Sequence, residues 1–140
     1  MGITSETTLV GLLRWPGRKS FSPAMHNAAF AALDMDWAYV VLPTPPERLG
    51  DAVRGLSALG FAGANVTTPH KTAVTEFCET DAPSVNTLVV REGRVEGWTT
   101  DAAILDGLAH ESPVVIGDGG VARGHARQRL GRVGAPPAGP

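Results

Sequence analysis

Residues 64–71 read Ala64-Asn65-Val66-Thr67-Thr68-Pro69-His70-Lys71. The stretch closes an apolar run that begins at Phe61, which predicts a short strand over Phe61–Val66. Thr68 is placed to cap a helix opening at Pro69, the position where a missing N–H costs nothing. Strand, polar turn and helix in this order set the expectation of an α/β fold. In that frame Lys71 is a first-turn residue facing the positive end of the helix dipole. A lysine so placed has its ammonium disfavoured and its pKa lowered, which suits proton transfer near neutral pH. The plain alternative is a solvated surface lysine that bends away from the dipole.

The same alternation extends in both directions. Thr8–Arg14 reads as a strand, Ser22–Leu33 as a helix and Trp37–Leu42 as a second strand. Pro45-Pro46 opens a helix with Leu49, Val53, Leu56 and Leu59 at helical spacing, closed by Gly60. Asn86–Val90 and Arg94–Trp98 flank Glu92-Gly93, a hairpin signal. Asp101–His110 is helix-like, and Pro113–Ile116 is a strand candidate running into Gly117-Asp118-Gly119-Gly120. Strands separated by crossover helices predict a mainly parallel sheet.

Composition narrows the function classes. The chain has 140 residues, about one domain, and 43% apolar content is enough for a core. A net charge of −2 leaves no overall basic footprint for nucleic acid. Cys78 is the single cysteine, so no internal disulfide forms and a reducing compartment is expected. Four scattered histidines give no zinc-like spacing, so no metal site is expected. No apolar run reaches membrane-spanning length, and a cytoplasmic protein without membrane contact is the expectation. Residues 120–140 hold four arginines, five glycines, three prolines and no acid. Gly131 onward is expected to be disordered, as in a chain cut short or read in a shifted frame; a natural basic tail is the alternative.

Four ordered motifs carry a family likeness: Ser20-Phe21-Ser22-Pro23-Ala24-Met25-His26-Asn27, Gly63 to Lys71, Val85-Asn86-Thr87, and Gly97-Trp98-Thr99-Thr100-Asp101. In order and rough spacing the sequence resembles the shikimate dehydrogenase family. The resemblance implies a three-layer α/β/α substrate-binding domain over residues 1–110 and the first strand of an incomplete Rossmann-like, NADP-binding domain over 111–130. The tail 131–140 follows. It implies reduction of 3-dehydroshikimate by NADPH, giving shikimate, in aromatic amino-acid biosynthesis. The 140-residue chain alone is expected to retain substrate binding at most. A non-catalytic shikimate- or quinate-binding module, a quinate dehydrogenase-like relative and a remnant that does not fold stably stay open. Oligomeric state is not readable.

By the same resemblance, Lys71 and Asp101 are the catalytic candidates, Lys71 as proton donor and Asp101 as its orienting carboxylate. Ser20, Ser22, Asn65, Thr67 and Asn86 are the substrate-binding candidates, and Gly117, Gly119 and Gly120 the cofactor-binding ones. The residue types suit a small hydroxylated acid. Serine hydroxyls can donate to a carboxylate, and amides both donate and accept, as ring hydroxyls require. Each has a structural alternative: Ser22 as a helix cap, Asn65 as a loop bridge, Asn86 as a turn residue, Asp101 as the cap of the next helix. The chain also departs from the family pattern. Arg14-Trp15-Pro16 stands where Gly-Asn-Pro is common, Thr99 replaces an asparagine and Ala102 a glycine. The segment between Lys71 and Asn86 is also shorter.

Overall fold

Strand β1 (Thr8–Arg14) sits between β2 (Trp37–Pro43) and β3 (Gly63–Val66) and runs parallel to both. Beyond β3 the direction reverses. β4 (Thr87–Arg91) pairs antiparallel with β3, and β5 (Arg94–Trp98) pairs antiparallel with β4, giving the order β2-β1-β3-β4-β5. This computed structural model describes residues 2–101, together with Gly119 and Ala122. The fold is α/β with a mixed sheet: the crossover strands are parallel, and the hairpin read from Glu92-Gly93 brings both antiparallel pairings, β3 with β4 and β4 with β5. Both turn residues have positive φ, 51° and 80°, the backbone a tight hairpin turn requires.

The two faces of the sheet are covered by different helices. Alternation along β1 sends Leu13 to one face, where it meets Ala64, Val66 and Leu88. Helix α2 (Leu49–Ala58) lays Leu49, Val53 and Leu56 on that face, closing a core in which Leu13, Val74 and Val85 are wholly buried. The expected helix over this segment begins one turn earlier as a 3₁₀ turn, Pro46–Arg48, because Pro45-Pro46 restricts the entry. It ends where Gly60 takes φ 74°.

Helix α1 (Ser22–Ala32) lies over the opposite face at the β2 edge. It buries no residue completely, and specific polar contacts hold it. Asn27 donates from Nδ2 to the carbonyl of Tyr39 at 3.0 Å and accepts the Tyr39 N–H at 2.8 Å. One side chain thus satisfies both outward backbone groups of a buried edge-strand residue.

Two expectations change. The residue capping α1 is Phe21, and Ser22 is the first helical residue. The Ser22 N–H is taken by the Ser20 hydroxyl at 3.1 Å, so the upstream serine does the capping work. The helix expected from Pro69 does not form. The Thr68–Pro69 peptide is cis, the chain turns, and a five-residue 3₁₀ segment follows at Ala73–Phe77. The Lys71 carbonyl accepts from the Val85 N–H at 2.7 Å, so a distant loop uses the acceptor an α-helix would need. The helix expected at Asp101–His110, the strand at Pro113–Ile116 and the domain limits near 110 and 130 lie outside the described residues.

Leu13→Ala is expected to lower unfolding stability by about 3 kcal/mol, since it empties a fully enclosed site. Leu59→Ala, at a position 75% exposed, should stay within about 0.5 kcal/mol. Urea denaturation of both variants checks the pair.

Candidate active site

The ends of β1 and β3, the first turn of α1 and the loop after β3 meet on the α1 side of the sheet. A cavity of 410 Å³ opens there, lined by Leu12, Arg14, Lys19, Ser20, Ser22 and Thr67, with Phe21 and Met25 beside them. Three of the expected substrate-binding residues, Ser20, Ser22 and Thr67, therefore share one cavity. Thr67 is held by its own backbone. Its N–H donates to the Leu13 carbonyl at 3.1 Å, and its carbonyl accepts the His70 N–H at 2.9 Å.

Asn65, Asn86, Lys71 and Asp101 form a second, contiguous group. The Lys71 ammonium donates to Asp101 Oδ2 at 2.7 Å, and the two side chains are only 21% and 11% exposed. The other Asp101 oxygen accepts from Asn86 Nδ2 at 3.0 Å. Thr100 supports Asn86 through a hydroxyl 2.8 Å from the same Nδ2. Asn65 Nδ2 reaches the Asn86 carbonyl and the Thr87 hydroxyl, both at 3.4 Å. Those contacts are long enough to be weak, so the Asn65 amide has donor capacity to turn toward a ligand. The shortened segment before Asn86 does not pull it away: backbone bonds from Asn86 to Trp98 and Val66 hold it between β3 and β5.

Tyr39 joins the two groups, and nothing in the sequence marks it for that role. Its phenol donates to Asn65 Oδ1 at 2.9 Å, and the Ser22 side chain lies close enough to act on the phenol electrostatically. Burial pushes the phenol pKa up to about 12, with the Ser22 side chain pulling the other way. The phenol stays protonated at neutral pH and fixes which end of the Asn65 amide accepts. His26 stacks flat on Tyr39, ring centroids 4.2 Å apart, and bonds the Ser22 carbonyl through Nδ1. Ser22, His26 and Asn27 of the first motif thus converge on one tyrosine in the next strand. A tyrosine inside Trp37-Ala38-Tyr39-Val40-Val41 reads as core from sequence, and only the sheet order, with β1 between β2 and β3, shows that its hydroxyl reaches Asn65.

Lys71 is not in the first turn of an α-helix, so the helix-dipole environment expected for it is absent. Its partner is the Asp101 carboxylate. Of the glycine loop, only Gly119 is described; it is exposed, with no atom within 4 Å of its Cβ position apart from its chain neighbours. Gly117 and Gly120 lie outside the described residues.

Residues 15–88 match the family profile described as the shikimate dehydrogenase substrate binding domain. The chain belongs to the shikimate dehydrogenase family. A relative from Geobacter sp. (strain M21), named shikimate dehydrogenase (NADP(+)), is 43% identical over 150 aligned positions, covering 96% of this chain and 51% of its own length. A crystal structure of a shikimate dehydrogenase in complex with NADP+ superposes with a TM-score of 0.77 at 34% identity, covering 89% of this chain and 48% of that one. Shikimate 5-dehydrogenase from Listeria monocytogenes, solved with shikimate and NAD, gives a TM-score of 0.75 at 34% identity over 90% of this chain and 48% of its own. The chain spans about half the length of these shikimate dehydrogenases. No helix among the described residues is long and apolar enough to cross a membrane.

His70 sets the loop that carries Lys71. It is 1% exposed, and its Nε2 donates to the Thr44 carbonyl at 2.9 Å, tying the loop to the end of β2. Burial lowers its pKa, and the Thr44 bond offsets part of that. The unfolded chain therefore binds this proton more readily than the folded one. The stability His70 confers is full above its unfolded pKa, roughly 6.5, and is lost as pH falls toward the folded value. His70→Gln is expected to flatten the decline in unfolding free energy between pH 7 and pH 5, measured by urea titration at each pH.

Proposed function

We propose that the chain supplies the substrate-binding and proton-donating half of an NADP-dependent shikimate dehydrogenase, with the substrate-binding domain extending over residues 1–110. The observation that carries this reading is the partly buried Lys71–Asp101 pair, 2.7 Å apart. It is linked through Asn86, Asn65 and Tyr39 to the cavity that holds Ser20 and Ser22.

The roles follow from donor and acceptor chemistry. Ser20 and Ser22 hydrogen-bond the substrate carboxylate beside the N-terminus of α1, which favours an anion. Thr67, Asn65 and Asn86 meet the ring hydroxyls with groups that donate and accept. NADPH, when bound, supplies the hydride to the ketone carbon. Lys71 Nζ gives its proton to the ketone oxygen, completing the alcohol; an ammonium has three donors, and one of them is committed to Asp101. Asp101 holds Lys71 in line through one oxygen and Asn86 through the other, so a single carboxylate sets both the donor and a binding amide.

The 140-residue chain should bind shikimate in isothermal titration calorimetry. Joined to the cofactor half of the Geobacter relative, it should reduce 3-dehydroshikimate with NADPH. Lys71→Met in that chimera is expected to lower kcat by about 10²- to 10⁴-fold, with KM changing far less. Shikimate binding without turnover by the chimera would leave a binding module. Tighter binding of quinate than shikimate would reassign the substrate. A lysine variant with unchanged kcat would remove Lys71 from the chemistry.

A further inference from the structure

The cavity beside Ser20 and Ser22 contains a cation that the roles above do not use. Arg14 ends β1 with the same facing as Val10 and Leu12, toward α1, and its side chain lines the 410 Å³ cavity. Lys19 lines it too, and among the described residues no acidic side chain does. Among the described residues the ion pairs engage Arg48, Arg54, Lys71, Arg91 and Arg94; neither Arg14 nor Lys19 takes part in one. The Arg14 Nε is buried and has no hydrogen-bond partner among the described residues. Buried donors are nearly always paired, because a donor withdrawn from water without an acceptor is costly. The serine hydroxyls nearby can turn as donors, and a guanidinium only donates, so the ligand class that this set of donors fits is an acceptor-only anion.

We infer that Arg14 is a specificity-determining residue that holds the substrate carboxylate together with the Ser20 and Ser22 hydroxyls. This rests on the substrate-binding reading given above. The guanidinium presents its donors in a rigid, charged planar fork that matches a carboxylate in two parallel bonds, whereas two serine hydroxyls are neutral and rotate independently. The family pattern has glycine at this position, so Arg14 adds a fixed charge to a subsite otherwise built from neutral donors. The site then selects small hydroxylated acids over the corresponding neutral esters or alcohols through charge as well as hydrogen bonding.

The test is calorimetric titration of the 140-residue chain with shikimate and with methyl shikimate, the neutral ester. Arg14→Gln is expected to weaken shikimate binding about 10- to 100-fold, the range of one charge-assisted pair, and to leave the ester within about twofold. It should also reduce the loss of shikimate affinity between 50 and 500 mM salt. Arg14→Gly is the second variant, in case the glutamine variant misfolds. There, millimolar methylguanidinium should restore part of the shikimate affinity, which repacking alone would not produce. Equal losses for acid and ester, or unchanged shikimate affinity in both variants, would overturn the assignment of Arg14 while the substrate reading stands. Failure of the unsubstituted chain to bind shikimate would overturn both.

Discussion

The Asn65 side chain couples three strands, and the site is built around it. It leaves the end of β3 on the α1 side of the sheet, accepts from Tyr39 of β2 across the intervening β1, and donates toward Asn86 and Thr87 at the start of β4. An amide can do this because it donates at one end and accepts at the other. An aspartate would repel none of its neighbours sterically but would lose the donor side. A leucine would fill the space and leave the Tyr39 hydroxyl without its acceptor, a cost of about 1–3 kcal/mol for a buried group. The position is polar because the strands around it are held by side chains as well as by the backbone ladder.

The loop after β3 shows how local irregularity serves the geometry. A regular helix from Pro69 would bond its own carbonyls internally. In the observed turn the Lys71 carbonyl bonds the Val85 N–H, and Val66 N–H bonds the Asn86 carbonyl. These two backbone links bind the segment carrying Lys71 to the segment carrying Asn86. Both converge on Asp101, which is 8% exposed. A carboxylate this enclosed needs its partners: the ammonium on one oxygen and the amide on the other satisfy it, and removing either leaves charge or acceptor capacity uncompensated.

Much of the architecture was legible from the chain. Helical spacing of Leu49, Val53 and Leu56 placed α2, and Glu92-Gly93 placed the β4–β5 hairpin within a residue. The failures have physical causes. Thr-Pro is an N-terminal helix signal only when the backbone that follows is free to bond to itself, and here a loop some fifteen residues on competes for it. Ser22 before Pro23 looked like a cap because nothing in the sequence said that Ser20 would reach its N–H. The Lys71–Asp101 pair joins residues thirty apart, beyond any periodicity, and it was anticipated only from the ordered motifs. Tyr39 and the clasp of Asn27 on it were missed because each is ordinary within its own element. Their meaning appears only when the helix is laid against the strand.

The Asn27 clasp has a consequence at the rim of the sheet. Among the described strands β2 is outermost, and the positions whose backbone groups point away from β1 are Trp37, Tyr39, Val41 and Pro43. Tyr39 is occupied on both groups by Asn27, the Trp37 N–H is folded back onto the Met35 carbonyl, and Pro43 has no N–H to give. A foreign strand adding here would meet a usable donor at no more than one of these four positions, too few to zip a ladder. The contacts that anchor α1 therefore also make this border a poor template for end-to-end polymerisation, a hazard that parallel sheets with bare margins carry during synthesis and at high concentration.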